Sequence, residues 1–152
     1  MKDTHIQQIE DLMTCEHDYL VQENKDEGFN FLIKLISEYE NKINIFNKTG
    51  ECLYGIFQGE KLIGIGGLNE DPYTEDNKIG RLRRFYIAKN YRRKGLGRLL
   101  LGRILSDAKK YFTIVVLNTD TEQGDQFYTS NGFVKGTIYV GSSHYLNLYK
   151  RM

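Results

Sequence analysis

The sequence predicts a mixed α/β fold, with one central, mostly antiparallel sheet flanked by helices on both faces. Three observations predict it. Residues 79–88, 95–109 and 112–117 read as strand, helix and strand, a crossover whose two strands become parallel neighbours. Two further stretches, 51–68 and 133–149, each read as a pair of strands folded into a hairpin. Helix-period segments stand both ahead of the first hairpin and inside the crossover, so helices must cover the sheet from two sides. At 152 residues, one domain over 1–152 is expected.

The elements follow in order. Residues 4–9 are open between a first strand and a loop. Segments 11–22 and 29–39 have helical spacing, and in the second Phe29, Leu32, Ile33, Leu35 and Ile36 share one broad face. Residues 51–57 and 62–68 are strands about the turn Gln58-Gly59-Glu60. The loop 69–77 is acidic and holds Pro72, the single proline. Residues 79–88 form a long strand. Helix 95–109 presents Leu96, Leu99, Leu100, Ile104 and Ala108 on one face. Residues 112–117 are apolar but for Thr113, the mark of a strand buried on both sides. A short helix over 121–130 stops at Asn131-Gly132. Strands 133–140 and 144–149 close the chain around Gly141-Ser142.

Composition narrows the function. A net charge of +1 with 27% charged residues gives no whole-molecule field for nucleic acid or a membrane surface. The start is polar, without an apolar signal core, and no apolar run is long enough to span a bilayer. A cytoplasmic protein is expected. Cys15 and Cys52 have neither C-x-x-C nor zinc spacing and are expected to be buried or idle thiols, with a disulfide as the alternative. His5, His17 and His144 lie far apart, so no metal site is expected.

The most informative segment is Arg92-Arg93-Lys94-Gly95-Leu96-Gly97-Arg98. It joins a strand to a helix through a basic turn punctuated by glycine. Glycine lets backbone approach a ligand closely, and the free N–H groups of a first helical turn attract an anion. The spacing excludes a Walker phosphate loop. Leu100 stands where a dinucleotide fingerprint needs its third glycine. The alternative reading is a solvated basic turn.

What remains, Arg92-x-x-Gly95-x-Gly97, resembles the Gln/Arg-x-x-Gly-x-Gly/Ala signature of the GCN5-related N-acetyltransferase (GNAT) family. Two further matches lie in order on the right elements. Phe85-Tyr86-Ile87 looks like the family's hydrophobic–Tyr–Val run. Phe127, Tyr128, Gly132 and Phe133 match Asn-x-x-Ala-x-x-x-Tyr-x-x-x-Gly-Phe, with Thr121 in place of its Asn and Gly124 in place of its Ala. The resemblance covers roughly residues 51–150. It implies an enzyme with acetyl-CoA as co-substrate, bound by Phe85, Tyr86, Ile87, Arg92, Arg93, Lys94, Gly95, Leu96, Gly97, Arg98 and Thr121. The pyrophosphate would meet main-chain amides from Arg93 through Arg98. The pantetheine arm would pair with Phe85–Ile87 where two central strands splay.

The resemblance also implies transfer of an acetyl group to an amine by direct attack in a ternary complex. A lysine-like amine, with pKa about 10.4, must lose a proton first, and a departing thiolate gains one. Tyr128 is the expected acid; a core tyrosine is the structural alternative. Many relatives hold a glutamate base at the position of Arg81, and an arginine cannot serve so. Glu70, Asp71, Glu75, Asp76, Glu27 or a water chain are the candidates. Strand alternation puts Arg81 and Arg83 on one face and Leu82 and Arg84 on the other. One of the arginines either binds an acidic part of the acceptor or forms an ordinary salt bridge. His144 either faces the acceptor or is structural. The expected partner is an amine of unspecified identity, with no nucleic acid and no membrane, for a monomer or homodimer. Rival readings are a non-catalytic acyl-CoA-binding module and a nucleic-acid binder with a steep salt dependence.

Overall fold

The computed structural model describes residues 3–149. Seven strands are β1 (Thr4–Gln8), β2 (Cys52–Gln58), β3 (Lys61–Glu70), β4 (Ile79–Ile87), β5 (Ile114–Leu117), β6 (Val134–Lys135) and β7 (His144–Asn147). Four helices are α1 (Asp18–Asp26), α2 (Phe31–Glu40), α3 (Leu96–Ala108) and α4 (Glu122–Ser130). The strands make one sheet in the order β1-β2-β3-β4-β5-β7-β6. Every pairing is antiparallel except β4 with β5, the expected crossover pair. The open segment 4–9 is therefore an edge strand.

Helices cover both faces, as the patterning requires. α3 packs on β2, β3 and β4 through Leu96, Leu100, Leu101, Ile104, Leu105 and Ala108. Leu99 departs from the expected face and is 59% exposed. α1 and α2 lie on the opposite face and pack on each other. Asn24 of α1, fully buried, accepts the Leu32 N–H at 3.2 Å and so caps the start of α2 from outside it. Phe29 precedes α2, and both it and Ile33 are exposed, so the buried stripe is narrower than the periodicity suggests.

Three expectations need correction. The helix expected over 11–22 is broken. Asp11 accepts the Met13 N–H at 3.0 Å and caps a single 3-10 turn, Leu12–Thr14. Cys15 is extended and Glu16 bridges to Lys61, so α1 starts only at Asp18. A local cap and a sheet contact override helical spacing there. The strand expected over 133–140 pairs only at Val134–Lys135. Arg81 takes the carbonyls of Gly141 and Val140 at 2.9 and 3.0 Å, and Ser142 Oγ donates to Tyr139 O at 2.7 Å. Those bonds fold 139–142 into a turn and leave Ile138 and Val140 exposed.

The third correction concerns β4. Tyr86 pairs with Ile65 but Arg83 with Gly67, so Arg84 and Phe85 together oppose Gly66. That extra residue is a β-bulge, and Arg84 has φ of 59°. The bulge breaks the alternation. Gly80 and Phe85 face the α3 side, where Phe112 and Ile104 stand. Arg84 instead reaches Glu38 of α2 at 3.1 Å, joining the face of Arg81 and Arg83 rather than that of Leu82.

Candidate active site

The site begins where two parallel strands separate. The β4–β5 ladder ends at Arg81 opposite Val116, while β4 continues to Ile87. Six residues of β4 thus lose their β5 neighbour, an opening of roughly 20 Å. At its far end the 87–88 peptide gives its N–H to Ile63 O of β3 at 2.8 Å. The carbonyl of that peptide, on the open edge, accepts from Arg92 Nε at 2.8 Å. Phe85 and Ile87 therefore turn their main-chain groups toward the opening, whereas Tyr86 turns its own toward β3.

The turn after β4 presents amides. Gly95 has φ of 80° and precedes α3 without a side-chain cap. Arg93 also has positive φ, 63°. Among the described residues, the N–H groups of Arg93, Lys94, Gly95, Leu96, Gly97 and Arg98 have no protein acceptor; the first helical bond is Leu99 N–H to Gly95 O at 3.1 Å. Six consecutive donors at the positive end of a helix form an anion cradle. Arg93, Lys94 and Arg98 are exposed around it, and Leu96 is buried beneath. An open groove of about 600 Å³ runs alongside, lined by Lys89, Arg92, Arg93, Gln123, Gln126 and Phe127.

Arg92 is held, not free. Its guanidinium donates to both oxygens of Glu27, Nη2 to Oε1 at 2.7 Å and Nη1 to Oε2 at 3.2 Å. It also stacks 5.2 Å from the Tyr86 ring. The Tyr86 hydroxyl shares its one proton between Glu27 and Glu23 Oε1, the latter 2.9 Å away, and Glu23 Oε1 accepts the Lys89 N–H at 2.7 Å. This network pins the segment just ahead of the amide cradle to α1 and its C-terminal cap, Glu27. The Arg92 hydrogen bond lowers the Glu27 pKa, and burial followed by the Glu27 hydrogen bond raises that of Tyr86. A bound, stabilised carboxylate makes Glu27 a poor base.

On the other wall, α4 carries Tyr128. Thr121 caps this helix, its Oγ1 accepting the Gly124 N–H at 2.9 Å. The space beside Gly124 is filled by hydroxyls: a Cβ there would lie 2.4 Å from Thr119 Oγ1 and 2.9 Å from Thr121 Oγ1. Glycine in place of alanine follows from that crowding. Tyr128 packs edge-on against Phe85, Phe127 and Phe133, with ring centroids 5.0–6.1 Å away. Its hydroxyl makes no hydrogen bond among the described residues, and burial pushes its pKa up. The phenol keeps its proton at neutral pH.

His144 is structural. It is 1% exposed, with Nδ1 2.7 Å from Ser143 Oγ and Nε2 2.7 Å from Asp125 Oδ1. It ties α4 to β7 one turn from Tyr128. Two more of the acids weighed as a base are held in local contacts. Asp71 is buried against Arg81 Nε at 2.9 Å, and Asp76 accepts the Lys78 N–H at 2.9 Å. Glu75 is exposed and Glu70 half-buried. Both cysteines are free thiols; burial pushes Cys52 up to about 12 and raises Cys15. Neither is a ready nucleophile. Among the described residues no group of three or more His, Cys, Asp or Glu could hold a metal ion, and no helix is long and apolar enough to cross a membrane.

Sequence reasoning brought Phe85, Tyr86, Ile87, the 92–98 turn, Thr121 and Tyr128 to one region, but missed the groove residues Lys89, Gln123 and Gln126. The last two share a helix face with Phe127, a spacing that could have found them. The role of Glu27 as the anchor of Arg92 crosses 65 positions and has no local signal.

The family model described as an acetyltransferase (GNAT) domain matches residues 49–135. The chain belongs to the GNAT acetyltransferase family. The match spans both β2–β4 and the turn, α3, β5 and α4. Among solved structures, a candidate acetyltransferase from Exiguobacterium sp. 255-15 is 24% identical, with a TM-score of 0.84 over 95% of this chain and 93% of that one. A GNAT-family acetyltransferase from Staphylococcus aureus Mu50 is 20% identical, with a TM-score of 0.74 over 95% and 99%. The AtaT toxin, solved as a mutant bound to the C-terminus of the antitoxin AtaR and acetyl-CoA, is 18% identical, with a TM-score of 0.68 over 96% and 94%. At these identities the likeness establishes the fold. Family and fold together imply acyl-CoA-dependent acetyl transfer.

Proposed function

We propose that residues 1–152 act as one catalytic domain that moves an acetyl group from acetyl-CoA to an amine by direct attack. The observation that carries this reading is the run of six unanswered amides, Arg93 to Arg98, at the foot of the β4–β5 opening. The residues fit coenzyme A. A diphosphate matches consecutive N–H donors at a helix start, with Arg93, Lys94 and Arg98 in reach for further phosphate charge. The open edge at Phe85 and Ile87 suits an amide-bearing arm that pairs like a strand. Acetyl-CoA supplies an activated thioester.

The chain's own residues divide the remaining work. Arg92, Glu27 and Tyr86 hold the turn in place. Phe85, Phe127 and Phe133 pack edge-on around Tyr128 and fix its ring. Tyr128 keeps a proton on its phenol for the departing thiolate. Arg92 and Arg81 occupy Glu27 and Asp71, so the amine's proton leaves through water rather than through either of them. A coenzyme A release assay against amines, amino acids and peptides tests the reading. Release that requires an acceptor, with acetyl recovered on its nitrogen, is expected. Tight acyl-CoA binding without turnover across the panel would favour the non-catalytic module instead.

A further inference from the structure

Two successive arginines stand where β4 bulges, on the face away from α3. Gly67, the ladder partner of Arg83, faces Phe46, whose ring would lie 2.5 Å from a Cβ built there. Directly opposed residues project to the same face. Arg83 therefore stands beside Phe46, under the segment that joins α2 to β2. Arg84 turns to the same side and donates from Nη2 to Glu38.

The charges on this face do not balance. Asp71 answers Arg81 and Glu38 answers Arg84. Arg83 is half-buried and has neither a carboxylate nor a hydrogen-bond acceptor among the described residues. Burial and then the charge of Arg84 loosen its proton, against a smaller pull from Glu38 and Tyr73. A second donor is also unanswered: Nε of Arg84 is buried without a partner, on a side chain 9% exposed. Buried guanidinium donors left open cost stability unless something accepts from them.

The place matters as much as the charge. Arg83 lies two residues before Phe85, about 7 Å along the strand, at the mouth of the β4–β5 opening. We infer that Arg83, with the open Nε of Arg84, binds a carboxylate of the acceptor, so that the protein acetylates amines carrying a carboxylate close to the nitrogen, as amino acids do. This inference rests on the acetyltransferase reading and specifies its substrate class. A planar guanidinium suits a carboxylate because it offers parallel donors in a fixed fork.

The test is calorimetry on the full chain with coenzyme A present. The probes are N-acetyl amino acids and the matching N-acetyl amino acid amides, which differ only in the negative charge. At least one acid should bind about 10- to 100-fold more tightly than its amide, the range of one charge-assisted hydrogen-bonded contact. Arg83→Gln should bring that ratio to about one, Arg83→Lys should keep part of it, and both should bind coenzyme A as the parent does. Equal binding of every acid and its amide, or a preference that survives Arg83→Gln, overturns the inference while leaving the acetyltransferase reading intact. Failure of the parent to bind coenzyme A removes both.

Discussion

A negative charge placed in the amide cradle tests the phosphate site at its centre. Gly97 is the second residue of α3, half-buried, with Phe127 ring atoms 3.3 Å from where a Cβ would sit. Alanine fits there if that ring gives by a few tenths of an ångström, and the residue gains helix propensity of up to about 1 kcal/mol. Gly97→Ala should therefore fold and bind coenzyme A within a few-fold of the parent. Gly97→Glu adds a carboxylate next to the diphosphate. Two like charges about 5 Å apart, at an effective dielectric of about 20, repel by ~3 kcal/mol, which is more than 100-fold in affinity. The carboxylate would also take the neighbouring amides for itself. Titration calorimetry with coenzyme A, beside a thermal melt, measures both effects. The expected result is an unchanged melt for Gly97→Glu with affinity lost by two orders of magnitude. A folded Gly97→Glu protein that binds coenzyme A like the parent would show that the diphosphate lies elsewhere.

Other outcomes follow from the same contacts. Tyr128→Phe removes the proton donor but keeps the aromatic packing, so kcat should fall by about 100-fold or more while the KM for acetyl-CoA stays put in steady-state kinetics. Arg81→Met leaves Asp71 buried without its partner and should destabilise by about 3–5 kcal/mol in denaturant melts; Arg81→Glu, which sets a second carboxylate against Asp71, should be worse and should not raise turnover. The pKa values of Tyr86 and Tyr128 are raised and that of Tyr54 is pushed up to about 12. The folded state therefore holds protons that the unfolded chain releases near pH 10, and stability should fall as pH climbs above about 10, with Tyr86→Phe flattening the slope of the melting temperature against pH.

Much of the fold was legible because its signals are local. Two apolar runs about the Gln58-Gly59-Glu60 turn mark β2 and β3, and the apolar run Ile114–Leu117 marks a strand covered on both faces. The turn 92–98 is legible because glycine spacing and cationic side chains are written in adjacent positions. What stayed hidden depends on distant partners. An arginine at φ 59° has no sequence mark, so the bulge at Arg84 and the reversal of faces it causes could not be read. The shortened C-terminal hairpin follows from Arg81 reaching carbonyls 59 and 60 positions away. Helical spacing over 11–22 lost to a cap at Asp11 and a bridge at Glu16. The clamp of Arg92 by Glu27 gives the signature's first residue an anchoring contact, and nothing near either position announces it.

The most direct measurement is an amide-resolved NMR titration of the full chain with acetyl-CoA. The main-chain N–H signals of residues 93–98 should move downfield together, saturate at one equivalent, and do so with a salt-dependent midpoint. Saturable binding that leaves those six amides unmoved, or no binding, would contradict the claim that this backbone turn holds the nucleotide ester.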